Sequence, residues 1–284
     1  MKKDIDIVKY AKAISFVTLL SVLVALVIIA IVPFNQSIEF RGGSTIQIEM
    51  HANSSIEELS FVLPKHTKSS LTNSRFNLHF SNSINEDIKT KIEQYATIYS
   101  IFVVAPSITQ NLIYKSLMAI VFSIIAIFVY IFLRFNIYYS LGTISTILHD
   151  VILVVAFIKV CHIEFNITII AAILTIIGYS VNDTVIIYDK IRTLLTLKSN
   201  IHTTINHAIT STLARTIGTS LSTALAIIPV LFLTSGSIKD FCLIVIFGIA
   251  VGTVSSIAVS ALVLLPFQKK LFEIIKLKNE LKTT

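Results

Sequence analysis

Three ionisable residues, Asp150, Asp183 and Arg215, lie within long apolar stretches of this 284-residue sequence. If those stretches cross a membrane, each charge costs at least about 2.5 to 3.5 kcal/mol at the centre of a helix. The three residues are therefore the first candidates for chemistry inside the membrane. His149 precedes Asp150, and with no second ligand four residues further on it is expected to be a polar core residue rather than a metal ligand.

Asp183 and Arg215 are expected to lie at similar depths on consecutive antiparallel helices. The predicted fourth apolar helix ends near Lys190, seven residues after Asp183, which is about 10 Å at 1.5 Å per residue. The predicted fifth helix begins near His207, eight residues before Arg215, or about 12 Å. These spacings predict that the two side chains can meet.

Both residues also belong to polar stripes at helical spacing. The stripe on the fourth helix contains Thr168, Thr175, Tyr179 and Asp183, and the stripe on the fifth contains Ser211, Arg215, Thr219 and Ser222. If the stripes face one another, they form a hydrated seam within the bundle. The third helix adds Gly142, Thr146, His149 and Asp150, and the sixth carries small residues, Gly248, Gly252, Ser256 and Ser260, that are expected to serve only close packing.

The pair Asp183 and Arg215 has two interpretations. A static ion pair would only fix the order of the helices, whereas a functional pair would change its state during work. Buried ion pairs at best break even against desolvation, so they are an expensive way to specify packing in lipid, and this favours a functional role. For Asp150 both roles stay open, because His149 can hold its carboxylate in a hydrogen bond.

The elements that position these residues are membrane helices. Hydrophobic residues make up 54 % of the chain and charged residues 14 %, against roughly 25 % charged in soluble domains, and the mean hydropathy is +0.82. This composition excludes a soluble globule, and two cysteines without a CxxC motif exclude a disulfide framework. Six apolar runs are long enough to cross a bilayer, at residues 14–32, 112–133, 140–160, 165–188, 208–233 and 241–266. The first run lacks a cleavage site and is interpreted as a retained helix.

The distribution of basic residues predicts the orientation. With the N-terminus inside, the inner segments hold thirteen lysines and arginines, whereas the two short outer loops hold only Lys159 and Lys239. Both termini are therefore expected in the cytoplasm and residues 33–110 outside. The net charge of +7 is then mainly an orienting signal, so nucleic acid is not expected as a partner.

The insertion at residues 33–110 has the pattern of a small α+β domain. Alternating residues predict strands at 44–50 and 75–80, and a third strand is predicted at 98–104. Capping-box sequences beginning at Ser54 and Ser83 predict two short helices. Because the insertion has no catalytic or metal-binding constellation, its expected role is contact.

The predicted organisation has four parts. Residues 1–32 form the cytoplasmic N-terminus and first helix, 33–110 the outer domain, 111–268 helices two to six, and 269–284 a basic cytoplasmic tail. The fold class is thus an all-α polytopic membrane bundle with a small α+β extracytoplasmic domain between helices one and two.

Several motifs resemble those of the SecF family of the bacterial Sec protein-export machinery. The segment Gly178-Tyr179-Ser180-Val181-Asn182-Asp183-Thr184 closely resembles the family's fourth-helix signature. Similar matches occur at Phe40-Arg41-Gly42-Gly43-Ser44, His149-Asp150 and Arg215-Thr216 with Thr219-Ser220. Glu39 stands where the family usually has Asp, Lys190 where Arg is common and Thr193 where Glu is common.

The resemblance implies an RND-type bundle in the bacterial inner membrane, without enzymatic activity and with protons as the coupling ion in place of a cofactor. It implies a homologous SecD-type partner, work with the SecYEG channel and SecA on translocating preprotein, and contact with the lipid bilayer. The implied proton relay or ion pair comprises Asp183, Arg215 and Asp150. The implied supporting residues are Gly178, Asn182, Thr184, Thr219 and His149.

Two other functions fit parts of the sequence. A proton-coupled RND-type exporter of lipid or small molecules would share the bundle, but is expected to have a longer chain with a second outer insertion. An intramembrane aspartyl protease would need a Gly-x-Gly-Asp helix after Tyr188-Asp189, and the sequence has none.

Overall fold

Six helices of the computed structural model are long and apolar enough to cross a membrane. The structure describes residues 6–51, 59, 68–72, 75–80, 86–104, 106–195, 200–267, 269–271 and 273. The membrane helices are α1 (Ala11–Ile31), α4 (Pro106–Arg134), α5 (Ile137–Val160), α6 (Ile167–Leu194), α7 (Ile201–Leu233) and α8 (Ser237–Val263), and the shorter helices are α2 (Ile38–Arg41) and α3 (Glu86–Tyr95). The predicted fold class, including the position of the outer domain, is confirmed.

Helix α6 extends beyond its predicted apolar run at its C-terminal end, and α7 extends beyond its run at its N-terminal end. Helix α6 continues to Leu194 and α7 already begins at Ile201. Hydropathy marks only the part of a helix inside hydrocarbon, whereas these polar ends keep their helical hydrogen bonds in water. The prediction of both ends was therefore too short.

An asparagine cap determines the start of three successive membrane helices. The side chain of Asn136 accepts hydrogen bonds from the backbone of Tyr138 and Tyr139 at the start of α5. Asn166 accepts from Ile169 N at 3.0 Å before α6, and Asn200 caps α7 in the same way. Each cap satisfies backbone donors that have no partner within their helix.

The membrane helices form an inner and an outer set. In the most apolar 18-residue stretch of each helix, 44 % of the residues of α5, 56 % of α6 and 50 % of α8 are buried, against 6 % in each of α1, α4 and α7. Helix α6 packs most extensively against α8. The inner set of α5, α6 and α8 therefore forms the core, and the outer set presents most of its surface to lipid or to other chains.

Two of the small residues of α8, Gly248 and Gly252, lie where α6 approaches closely, as predicted. A methyl group on Gly248 would lie 2.2 Å from Cδ1 of Ile176 on α6. One on Gly252 would lie 3.3 Å from Cβ of Ser180, also on α6. Larger side chains at these two positions of α8 would push the helices apart.

Tyr188 joins the inner helices near the far end of α6. Its ring is fully buried, and its hydroxyl donates a hydrogen bond to the backbone oxygen of Ser260 on α8 at 2.8 Å. On the α5 side, a methyl group on Gly142 would lie 2.1 Å from that hydroxyl. The ring of Tyr139 contacts Tyr188 edge to face, with centroids 4.9 Å apart.

The outer domain contains a four-stranded antiparallel sheet in the order β2-β3-β1-β4. The strands are β1 (Gly43–Met50), β2 (Lys68–Thr72), β3 (Arg75–Phe80) and β4 (Ala96–Val104). Ile46 and Ile48 of β1, Leu78 of β3 and Ile92 of α3 form the centre of its core. The sheet and helix therefore make an independent apolar core outside the bundle.

The three predicted strands are confirmed, and β2 was missed. Within β2, Leu71 is the only large apolar residue among Lys, Ser and Thr, so the alternating signal of a half-buried strand is absent. Helix α3 begins at Glu86, the last residue of the second predicted capping box. The first predicted helix, beginning at Ser54, lies outside the described residues.

Candidate functional site

Asp183 occupies a buried position in the middle of α6. It lies 16 residues after the first residue of that helix, which is about 24 Å along the axis. The residue is 3 % exposed, and its Oδ1 atom has no hydrogen-bond partner among the described residues. A buried carboxylate oxygen without a partner is costly and needs a physical explanation.

Arg215, which the sequence places at a similar depth to Asp183, lies on the exposed face of α7. Within the described ranges, however, no ion pair joins Asp183 to Arg215. Asp183 is buried inside the bundle, while Arg215 is exposed and lines a groove between α6 and α7. The structure therefore shows a separated pair, and the proposed change of pairing stays a prediction.

The depths of the two residues remain comparable when the observed helix ends replace the predicted ones. Asp183 lies 11 residues before Leu194, about 17 Å from the end of α6. Arg215 lies 14 residues after Ile201, about 21 Å from the start of α7. Both distances to the helix ends increase by similar amounts, so the two residues still lie at similar depths.

A groove of about 800 Å³ runs between α6 and α7. It brings much of the two predicted polar stripes together, because Thr175 and Tyr179 share it with Arg215, Thr219 and Ser222. The complete lining is Thr175, Gly178, Tyr179, Asn182, Ala214, Arg215, Gly218, Thr219, Ser222 and Thr223. Asp183 is not part of this lining, whereas its neighbour Asn182 is.

One polar contact joins the two walls of this groove. The hydroxyl of Tyr179 on α6 lies 2.6 Å from Oγ1 of Thr223 on α7. Thr219 Oγ1 donates to the backbone oxygen of Arg215 at 3.1 Å, so this hydroxyl stays on its own helix. Of the predicted supporting residues, Gly178, Asn182 and Thr219 therefore line the groove around Arg215.

Two buried hydroxyls without a hydrogen-bond partner among the described residues directly follow Asp183 and Arg215 in the sequence. Thr184 follows Asp183 on α6, and its Oγ1 is buried with no hydrogen-bond partner in the described part of the chain. Thr216 follows Arg215 on α7 and has the same property. Thr216 was not among the predicted site residues, although it stands in the Arg215-Thr216 motif.

Asp150 belongs to a separate hydrogen-bonded cluster between α5 and α6. It is 1 % exposed and accepts a hydrogen bond of 2.6 Å from Ser180 Oγ. Nδ1 of His149 lies 3.0 Å from its other oxygen. Both carboxylate oxygens are thus occupied, in contrast to Asp183.

Ser180 was not among the predicted site residues. It lies within the fourth-helix motif, three residues before Asp183, and faces Asp150 across 30 residues of chain. The spacing along α6 could have shown that Ser180 shares a face with Asp183. Its pairing with Asp150 depends on the packing angle of α5 and α6, which no local pattern encodes.

Fold and groove together define a six-span membrane protein with one α+β domain after its first span and a buried carboxylate in its fourth. Family models match this class. Residues 84–270 match the model of protein export membrane protein SecD/SecF, C-terminal, and residues 27–53 match the SecD/SecF GG motif. The chain belongs to the SecF family.

Individual relatives agree with this assignment. The chain is 36 % identical over 291 residues to protein translocase subunit SecF of Rickettsia felis, covering 95 % of this chain and 94 % of that protein. It is 35 % identical over 290 residues to the Rickettsia conorii protein of the same name, with the same two coverages.

Solved structures show the same architecture. The crystal structure of SecDF, a translocon-associated membrane protein from Thermus thermophilus, matches with a TM-score of 0.85 and 29 % identity, covering 94 % of this chain. SecDF in its super-membrane-facing form matches with a TM-score of 0.71 and 28 % identity over 97 % of this chain. This chain spans 39 % of the first SecDF chain and 40 % of the second.

Proposed function

We propose that this chain is the SecF-type half of a proton-driven accessory to the Sec translocase. It works with a SecD-type partner beside the SecYEG channel and SecA, in the bacterial cytoplasmic membrane with both termini inside. It catalyses no reaction and has protons as its coupling ion. Its outer domain contacts translocating preprotein at the outer face.

The separated pair of Asp183 and Arg215 carries this proposal. A static ion pair would need direct contact, whereas Asp183 Oδ1 has no partner among the described residues. Arg215 is exposed on a helix whose most apolar stretch is only 6 % buried. Because an arginine facing lipid is costly, a partner chain that covers this face of α7 would be favoured, and SecDF structures support a SecD-type partner.

The mechanism follows from two arrangements of the same residues. Asp183 is neutral when it is protonated and separated from Arg215, as the buried and unpaired position favours. Loss of the proton creates a charge that attracts the guanidinium across the α6 and α7 boundary. Because each protonation state favours one arrangement, proton passage is converted into relative movement of the helices.

Asp183→Asn tests the proposal, because asparagine keeps the size and hydrogen-bonding capacity of the side chain but cannot titrate. We expect normal membrane levels and partner binding, loss of the part of preprotein export that depends on the proton gradient, and no loss of the part driven by ATP. Asp183→Glu should keep partial activity. Asp240→Asn, in the first turn of α8, is the control and should export normally.

Export assays in inverted membrane vesicles, with and without an uncoupler, separate the two parts. If Asp183→Asn exports at the wild-type rate with the gradient present, proton relay through Asp183 is refuted and a structural role remains. If both the gradient-driven and ATP-driven parts fall together, the residue is needed for assembly instead.

A further inference from the structure

The segment at residues 34–42, here called the outer linker, connects α1 to the outer domain and is fastened to the loop between α5 and α6. Phe165 N donates to the backbone oxygen of Asn35 at 2.7 Å, and Ser37 N donates to the backbone oxygen of Phe165 at 3.1 Å. Gln36 and Phe165 form a parallel β-bridge. The outer linker thus pairs with the residues that immediately precede α6.

Aromatic packing strengthens the same attachment. The ring of Phe165 contacts Phe34 edge to face, with centroids 5.5 Å apart, and contacts Phe40 at the same centroid distance. Phe40 itself is buried. One ring from the loop before α6 therefore packs between two rings of the outer linker.

Glu39 makes the contact with α6 itself. Its carboxylate oxygen Oε2 accepts a 2.8 Å hydrogen bond from the backbone N–H of Ile167, the first residue of α6. The N-terminus of a helix has free donors and a partial positive charge, so a carboxylate is favourable there. Glu39 therefore adds a charged contact to the backbone pairing of the outer linker.

The outer linker is also joined to the sheet with almost no slack. Glu39 lies in α2, and only Gly42 separates α2 from β1. Gly42 and Gly43 have φ angles of 75° and 117°, which residues with a side chain rarely adopt. This pair of glycines allows the chain to turn directly from α2 into the central strand β1.

We infer that Glu39 is a positioning residue that couples the outer domain to α6, the helix that contains Asp183. This inference rests on the proposed function. Asp183 lies 16 residues from Ile167 on one continuous helix, so a shift of α6 reaches its first turn as a rigid movement. Glu39 and the outer linker pass that movement to β1 and so to the whole sheet.

A labelling experiment in membranes with the partner present tests the coupling. The two free cysteines, Cys161 and Cys242, are replaced by alanine, and Gln94→Cys on the exposed side of α3 becomes the reporter for a membrane-impermeant maleimide. Its labelling rate is measured with and without a proton gradient. We expect the gradient to change this rate when Glu39 is intact.

Three substitutions then separate coupling from general effects. Glu39→Ala removes a hydrogen bond to a charged group and should shift the docking equilibrium of the outer linker roughly tenfold, so that the gradient changes the labelling rate much less. Glu39→Gln keeps an oxygen acceptor and should keep part of the response. Glu93→Ala, an exposed carboxylate on α3, should leave the response unchanged.

The outcomes distinguish this inference from the proposed function. If the gradient leaves the reporter rate unchanged with Glu39 intact, the proposed proton-driven movement of the outer domain fails. If the gradient changes the rate equally with Glu39 intact and with Glu39→Ala, the proposed function stands and the coupling role of Glu39 is wrong.

A disulfide provides a test that a folding defect cannot imitate. Bridged residues of paired strands can lie within disulfide range, so Gln36→Cys and Phe165→Cys are added to Glu39→Ala in the cysteine-free chain. The same two cysteines with Glu39 intact control for the loss of the Phe165 ring. Glu39→Ala should also lower gradient-dependent export, which oxidation of the bridge should restore and reduction should lower again. Formation of the bridge without recovery of export would overturn the inference.

Discussion

Gly142→Ala should strongly destabilise the inner set of helices, because the structure leaves no room for a methyl group there. The added carbon would lie 2.1 Å from the hydroxyl of Tyr188 and 3.2 Å from its Cζ atom. Relief of the contact requires the hydroxyl to move by about 1 Å or more to reach ordinary contact distance. The 2.8 Å hydrogen bond to Ser260 would then be lost.

Three effects determine the magnitude of this loss. Overpacking of a core costs about 1 to 3 kcal/mol, and an unsatisfied buried hydroxyl costs about 1 to 3 kcal/mol more. Alanine regains about 1 kcal/mol through its higher helix propensity. The free energy of unfolding should therefore fall by roughly 1 to 5 kcal/mol.

A second substitution makes the argument refutable. Tyr188→Phe removes the hydroxyl and should cost about 1 kcal/mol alone. In combination with Gly142→Ala it removes the 2.1 Å contact and leaves the 3.2 Å contact to the Cζ atom of the ring. The double variant should be more stable than Gly142→Ala by itself. Unfolding is measured by denaturant titration of the purified protein in mixed micelles, followed by circular dichroism. If the two losses add, the inferred close approach of α5 to Tyr188 is wrong.

Two further predictions use the same assay. Gly248→Ala should lower the free energy of unfolding by up to about 2 kcal/mol through overpacking. Its control, Gly218→Ala, has nothing within 4 Å of the added carbon and should be neutral or stabilising. Equal effects of the two substitutions would contradict the packing of α8. Ser180→Ala should lower the free energy of unfolding by about 1 to 3 kcal/mol, because it leaves the buried Asp150 with one hydrogen-bond donor fewer. Ser145→Ala, at an exposed position of α5, should lower it far less. Similar losses for both variants would show that the hydrogen bond to Asp150 contributes nothing to stability.

The membrane helices and the identity of the polar groups were predictable from sequence, whereas their partners were not. Apolar runs reveal spans because lipid requires long uninterrupted helices. Helical spacing also predicted that Thr175 and Tyr179 would share a seam with Arg215. It could not predict the rotation of α6 that turns Asp183 away from the groove while Asn182 faces it, because a one-residue difference changes direction by about 100°.

The contacts of Glu39 and Ser180 show a second limit. Glu39 is 128 residues from Ile167 and Ser180 is 30 residues from Asp150 along the chain. Periodicity reports which face of an element is apolar, but not which polar atom of another element lies opposite. The strand β2 was missed for a related reason, since its polar residues carry no alternating pattern.

The extensive packing of α6 against α8 has a consequence for how the protein is made. Helix α6 has the lowest mean hydropathy of the six membrane helices, 1.8 in its most apolar stretch. It is synthesised before α8, the helix against which it packs most extensively. Until Gly248 and Gly252 arrive, the face of α6 around Ser180 lacks the surface that buries it. We therefore expect α6 to reach its final packing only after α8 has been inserted, and a chain that ends before Ser237 to leave the Ser180 face of α6 without its cover.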